Sequence, residues 1–284
     1  MTGPRYTGPD LRWELTRGRA RLVPPPLRKP VRSATVALRS RGLTKDDILL
    51  GGFPKSGSTW LRFVLVELFT GESASSFADV NILSPDLGEH RGASPVSNGG
   101  RLIKTHEAYG SIRATRASSL YVVRDPRDVA LSLFHYLKRR GAHEVQMDDF
   151  IEAFSRGRVL PYGAWQSHVL GWITASHRRP NVAVLRYEDL LTDGTEALQA
   201  ALSRLGLEFT PDQVRSAMSN NTADAMRSKE LATPEKAFRE GHSSIPFVRR
   251  AASEQWRTEM LPSNQAKIEA AFNEGLRACG YVID

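Results

Sequence analysis

"GGFPKSGSTW", residues 51–60, decides the fold. Gly52 and Gly57 are separated by four residues, Ser58 and Thr59 follow, and the apolar run "DILL" stands just before. A short strand, a glycine-bearing turn and a helix N-terminus together make an anion cradle, because free backbone N–H groups face whatever sits in the turn. The ATP-binding form of such a loop reads G-x-x-x-x-G-K-[ST]. Here Ser58 occupies the lysine slot, and the lysine stands three residues earlier, at Lys55. The loop predicts an anionic ligand that needs its lysine elsewhere.

Downstream of the loop, "STWLRFVLVELFTG" places Leu61, Val64, Leu65, Leu68 and Phe69 at helical spacing, and Gly71 closes the helix. "RLIKTH", "SSLYVVR" and "NVAVLRY" read as further strands. "SSLYVVR" is largely apolar, as a strand buried on both faces should be. "DPRDVALSLFHYLKRR" begins a helix with Asp125 as N-cap and Pro126 at its first position. "YGAWQSHVLGWITASH", "TEALQAALSRLG" and "SNQAKIEAAFNEGLRACG" are further helices, and residues 72–100, rich in Ser, Gly and Pro, read as a long loop. Alternating strands and helices predict one α/β domain with a central parallel sheet flanked by helices. Ligands of such sheets bind at the carboxyl ends of the strands. The loop at 53–59, His106, Arg124 and Tyr187 should therefore converge.

The 284 residues carry a net charge of +8, but unevenly. Residues 1–45 hold eleven Lys/Arg against two acids, whereas the rest holds 28 against 29. The excess charge belongs to an N-terminal arm with "RLVPPPLRKP", whose prolines favour an extended segment, solvated or packed along the surface and dispensable for chemistry. The domain proper is then 46–284. That distribution argues against a nucleic-acid partner for the body. With Cys279 as the only cysteine, an intramolecular disulfide and a four-cysteine zinc site are excluded. No stretch approaches the roughly 18 apolar residues of a membrane span. A cytoplasmic protein without an integral membrane segment is expected.

"FPKSGSTWL" and "YVVRDPRDVALSLFHY" resemble the two cofactor-binding signatures of the sulfotransferases, which use 3′-phosphoadenosine 5′-phosphosulfate (PAPS) and release adenosine 3′,5′-bisphosphate. "IKTH", "RYEDLL", "NTADAM" and "FVRRAASEQW" extend the resemblance, in the family's order, over most of residues 48–257. It implies the P-loop nucleotide-kinase-like sulfotransferase fold. It implies that Lys55, Ser56, Gly57, Ser58 and Thr59 hold the 5′-phosphosulfate and that Trp60 stacks near the adenine. Lys55 would meet the oxygen bridging phosphate and sulfur, where charge grows as the bond breaks. His106 matches the general base, a role that suits a histidine pKa. Lys104 matches a second lysine that stabilises the sulfonate.

Arg124 and Ser132, eight residues apart, match the grip on the 3′-phosphate, and Arg249–Arg250 match a second one. Ala251 departs from the family's glycine there. Tyr187 and Thr222 fall on the adenine and ribose side, where Ala223 replaces an aromatic. Arg127 and Asp128 read as capping and surface charges. No metal is required.

The expected reaction is sulfonate transfer to a hydroxyl or amine acceptor, on a small molecule or a glycan. The acceptor should lie near His106, walled by residues 72–100 and the segment after Tyr136, with Tyr109, Phe134 and Trp165 as candidates either for an apolar wall or for core packing. A P-loop kinase or NTPase, and a non-enzymatic polyanion-binding module, stand as alternatives. Neither the acceptor nor the oligomeric state is readable.

Overall fold

A computed structural model describes residues 28–112, 116–140, 142, 144–232, 248 and 252–283. Its centre is a four-stranded, all-parallel sheet in the order β2-β1-β3-β4. The strands are β1 (Ile48–Gly52), β2 (Leu102–Thr105), β3 (Ser118–Val123) and β4 (Val182–Arg186). Side chains alternate across it. Leu49, Ile103, Tyr121 and Val123 enter one core, while Ile48, Leu50, Leu102, Leu120 and Val122 enter the other. This is why the strands read as unbroken apolar runs.

In chain order the helices are α1 (Arg28–Arg39), α2 (Ser58–Thr70), α3 (Phe77–Leu83), α4 (Pro126–Arg139), α5 (Met147–Ser155) and α6 (Trp165–Arg178). They continue with α7 (Tyr187–Thr192), α8 (Gly194–Arg204), α9 (Pro211–Ser219), α10 (Ala223–Ala232), α11 (Trp256–Glu259) and α12 (Pro262–Ala278). Helices α2, α8 and α9 cover one face of the sheet; α4, α5, α6 and α12 cover the other. None of the described helices is long and apolar enough to cross a membrane.

The chain leaves β1 for β2 on one side and then returns to β3 on the other. The crevice between β1 and β3 is the place where such sheets take ligands. The loop at 53–57 and Arg124 flank it, and His106 and Tyr187 follow the outer strands.

Two expectations change, and that for the arm is narrowed to its packed alternative. Residues 72–100 are not one loop, because Ser76 caps the short helix α3 and His90–Gly92 form a 3₁₀ turn. The three prolines of the arm lie outside the described residues. From Arg28 the arm is helical and docked on the body. Val36 is buried, Arg32 pairs with Glu107 at 2.5 Å, and the Arg39 side chain lies against Gly88.

Arg127 and Asp128 are core groups and not surface charges. Arg127 bonds Asp125 and Glu269 at 2.7 and 2.6 Å, donates to the Val282 carbonyl and lies 3.7 Å over the Trp256 ring. Asp128 accepts the backbone N–H groups of Glu254 and Trp256 at 2.8 and 3.2 Å. The cause is tertiary. The segment before α11 and the end of α12 fold over the first turn of α4 and shut these charges in.

Candidate active site

The loop after β1 bends by placing Lys55 at φ 74° and Gly57 at φ 93°, both left-handed. For a lysine this costs about 1–3 kcal/mol, and such strain collects at functional turns. Ser58 then opens α2, whose N-terminal turn lines the cavity below. At Gly57 a β-carbon would sit 2.4 Å from the Tyr187 ring. The Gly57→Ala variant is therefore expected to push Tyr187 out of place. It should lower stability by more than about 1 kcal/mol, read as a lower Tm, and weaken nucleotide binding. An unchanged Tm would contradict the close packing of the ring on this turn.

Around the loop opens a cavity of about 560 Å³, within the usual range of small-molecule sites. Ten of the expected site residues line it: Lys55, Gly57, Ser58, Thr59, Trp60, His106, Arg124, Ser132, Tyr187 and Thr222. Lys104 does not; its ammonium lies 3.6 Å from Asp86, behind His106 in the chain. Ser56 is fully buried beneath the loop. Arg249, Arg250 and Ala251 lie outside the described residues.

On one side, Trp60 donates its indole N–H to the Asn221 carbonyl at 2.7 Å and meets the Tyr187 ring edge-on at 6.0 Å. Asn221 is itself gripped by Glu67 at 2.9 Å and by Lys229 at 2.6 Å, which fixes the adjoining Thr222. Arg124 stacks 4.5 Å over Tyr187 and donates to the Ala252 carbonyl at 2.8 Å. Its Nε is buried and, like Ser56 Oγ, has no hydrogen-bond partner among the described residues. Buried donors are rarely left so, and an orphan beside a cavity suits a missing acceptor such as a phosphate.

On the other side, His106 Nδ1–H donates to the Gly52 carbonyl at 2.7 Å. This fixes the tautomer and leaves the Nε2 lone pair as the one able to take a proton. Withdrawal from solvent, with the Lys104 ammonium nearby, pushes the His106 pKa down to about 3. The ring is neutral at ordinary pH. Behind it, Tyr121 O–H donates to His168 Nδ1 at 2.9 Å, and His168 Nε2–H donates to the His106 carbonyl at 3.0 Å. Burial holds the His168 pKa at about 4, so this ring too is neutral.

Beside His106, Tyr109, Phe134 and Trp165 take the packing role of their two readings. Tyr109 stacks edge-on against Trp172, Phe134 packs on Phe150, and Trp165 is fully buried against Phe272. Leu133, Tyr136, Leu160, Pro161 and Tyr162 line this end instead. Phe134 lies about 200° around the helix from Ser132, whereas Tyr136, one turn on, shares the cavity face. Tyr136 carries Lys55 Nζ 4.8 Å above its ring, and Tyr162 approaches His106 at 5.8 Å. The i, i+4 spacing from Ser132 was the sequence signal for Tyr136. Nothing local marked Tyr162.

A family model described as "Sulfotransferase domain" matches residues 45–280. Sulfotransferase 1A1 of Canis lupus familiaris is 27% identical over 272 residues, covering 90% of this chain and 92% of that protein. Flavonol 4'-sulfotransferase of Flaveria chlorifolia is 24% identical over 281 residues, covering 90% and 87%. Two solved structures share the fold. Mouse sulfotransferase SULT7A1, complexed with PAP, has a TM-score of 0.65 at 24% identity, covering 85% of this chain and 88% of that one. Retinol dehydratase, in complex with androsterone and inactive cofactor PAP, has a TM-score of 0.72 at 18% identity, covering 87% and 86%.

Proposed function

The chain belongs to the sulfotransferase domain family, and from that premise we propose that it moves a sulfonate group from PAPS to a hydroxyl acceptor, with His106 as general base. One observation carries the reading. The carbonyl of Gly52, on the strand that feeds the anion loop, fixes the His106 tautomer and leaves Nε2 unprotonated on a ring that lines the same cavity as Lys55 and the loop. The strand end that feeds the anion cradle thus also orients the base.

PAPS supplies the transferable sulfonate. The acceptor oxygen forms its bond to sulfur as the bond from sulfur to the 5′-phosphate oxygen breaks, and the acceptor proton goes to His106 Nε2. Lys55 and the N–H groups of residues 56–59 meet the charge that collects on the departing oxygen. Lys104 steadies the site from behind His106, balanced by Asp86. Arg124, Ser132 and the Arg249–Arg250 pair hold the 3′-phosphate, and Trp60, Tyr187 and Thr222 the nucleoside. Most of the rate enhancement is positioning and electrostatics, as in phosphoryl transfer.

Residues 46–284 form the catalytic domain in this reading, with 1–45 appended, and a cytoplasmic location fits relatives such as Cytosolic sulfotransferase 14 of Arabidopsis thaliana. The test is nucleotide selectivity. Each charge-assisted hydrogen bond to the 3′-phosphate is worth roughly 1.5–3 kcal/mol. Adenosine 3′,5′-bisphosphate should therefore bind at least about tenfold more tightly than AMP. Equal affinities by calorimetry would refute the assignment of Arg124 and the late arginine pair.

A further inference from the structure

Helix α1 has two apolar faces, and the body of the protein covers only one. On the inner side Val36 and the following Ser40 are buried, and Arg32 is tied to Glu107. The outer side carries Val31, Ala34, Thr35 and Leu38, spaced i, i+3, i+4 and i+7 as one helical stripe. All four are exposed, Val31 at 44% and Leu38 at 52%. The Thr35 hydroxyl donates to the Val31 carbonyl at 2.8 Å, so its polar group is already satisfied. A surface helix normally turns its charges to water and its apolar residues to the core. Here the outer stripe holds no charged residue, although α1 contains four Lys/Arg and no acid.

The stripe also sits in the most positive part of the chain. Residues 1–45 hold eleven Lys/Arg against two acids, and the remainder is close to neutral. In sequence, Arg28 and Lys29 precede the stripe, and Arg39 and Arg41 follow it. An apolar stripe bounded by cations suits a helix lying in the headgroup layer of an anionic bilayer. Other occupants answer half of the pattern. Nucleic acid or heparin would meet the charge and leave Val31 and Leu38 bare. A second copy of this chain would cover them, but it would bring the same excess of positive charge against the first.

We propose that the outer face of α1, with the basic segment before it, is a docking surface for an anionic lipid bilayer. The basic side chains meet lipid phosphates, and Val31 and Leu38 enter the boundary between headgroups and acyl chains. The contact is peripheral and reversible, as a short stripe held by charge should be. It gives the enzyme a location and leaves the transfer chemistry as it is.

The test is flotation of the full chain with two kinds of vesicle, phosphatidylcholine alone and phosphatidylcholine with about 30% phosphatidylglycerol. The chain should bind the anionic vesicles at least about tenfold more tightly than the neutral ones, and about 0.5 M salt should release it. Val31→Ser with Leu38→Ser removes apolar carbons from an exposed face, so Tm should hold. Vesicle binding should nonetheless fall by about tenfold. Arg17→Gln, Arg19→Gln and Arg21→Gln together should weaken binding to anionic vesicles and leave the weak binding to neutral ones as it was. Heparin retention should survive the Val31/Leu38 change, because charge alone drives it. Equal binding to both vesicles, or vesicle binding unchanged in the Val31/Leu38 variant, overturns the proposal. So does a dimer in solution that the Val31/Leu38 variant dissociates, which would give the stripe to a second copy.

Discussion

Replacing His106 by alanine is expected to abolish most turnover while leaving the affinity for adenosine 3′,5′-bisphosphate nearly intact. A general base contributes about 10²–10⁴ in rate, and in the proposed reading His106 serves the acceptor and not the nucleotide. His106→Asn is the sharper variant. Its amide can still donate to the Gly52 carbonyl, now held at 2.7 Å, yet it has no basic lone pair. If both variants lose rate equally, proton removal is at stake and not the fold of the loop. An acidic phenol, already ionised, should lose far less in either variant than an ordinary alcohol. The pH dependence follows in sign. The histidine's pKa is depressed to about 3, so its active neutral form persists as pH falls and is lost only through that low value. A rate on the ordinary hydroxyl that falls with a midpoint near 6.5 would show that His106 titrates as a solvated imidazole.

Arg127→Met is expected to be the most destabilising single substitution at the edge of the site. Removing one partner of a buried ionic cluster costs about 3–5 kcal/mol, a fall in Tm of roughly 6–20 °C. The cost comes from what is left behind. Asp125 and Glu269 stay enclosed, at 5% and 6% exposure, without their cation. Adding Glu269→Gln to Arg127→Met should recover part of the loss, since it removes one stranded charge. A Tm unchanged in the single variant would mean that water reaches the cluster.

The strands and the larger helices were legible because their signals are local. Leu61 to Phe69 show a helical period that ends on a left-handed Gly71, and Asp125–Pro126 mark a helix start whatever lies around them. The site was legible to the extent that it hangs on strand ends: the loop at 53–59, His106, Arg124 and Tyr187 all face one cavity. The residues that escaped depend on partners remote in sequence. Arg127 is enclosed by Trp256 and Glu269, Asp128 by the backbone at 254 and 256, and Glu188 caps the start of α4 through the Asp125 N–H at 3.1 Å. Tyr162 reaches His106 from the chain between α5 and α6, where no period or spacing marks a binding residue. Phe134, open to either reading, is kept off the wall for a simpler reason. It is aromatic and near the right helix, but two residues out of phase with the cavity face.

The docking of α1 has a further meaning. Arg32 lies 4.8 Å over the Tyr162 ring and bonds Glu107, the residue after His106, so its helix props the acceptor wall from outside. That helix lies upstream of residue 45, where the match to the family begins. In the proposed reading, the nucleotide end of the cavity is built from the matched region, and the acceptor end, lined from the same region, is braced from outside by a helix that precedes the match. Removal of α1 is therefore expected to loosen Tyr162 and the turn at Glu107 before it disturbs the loop at 53–59.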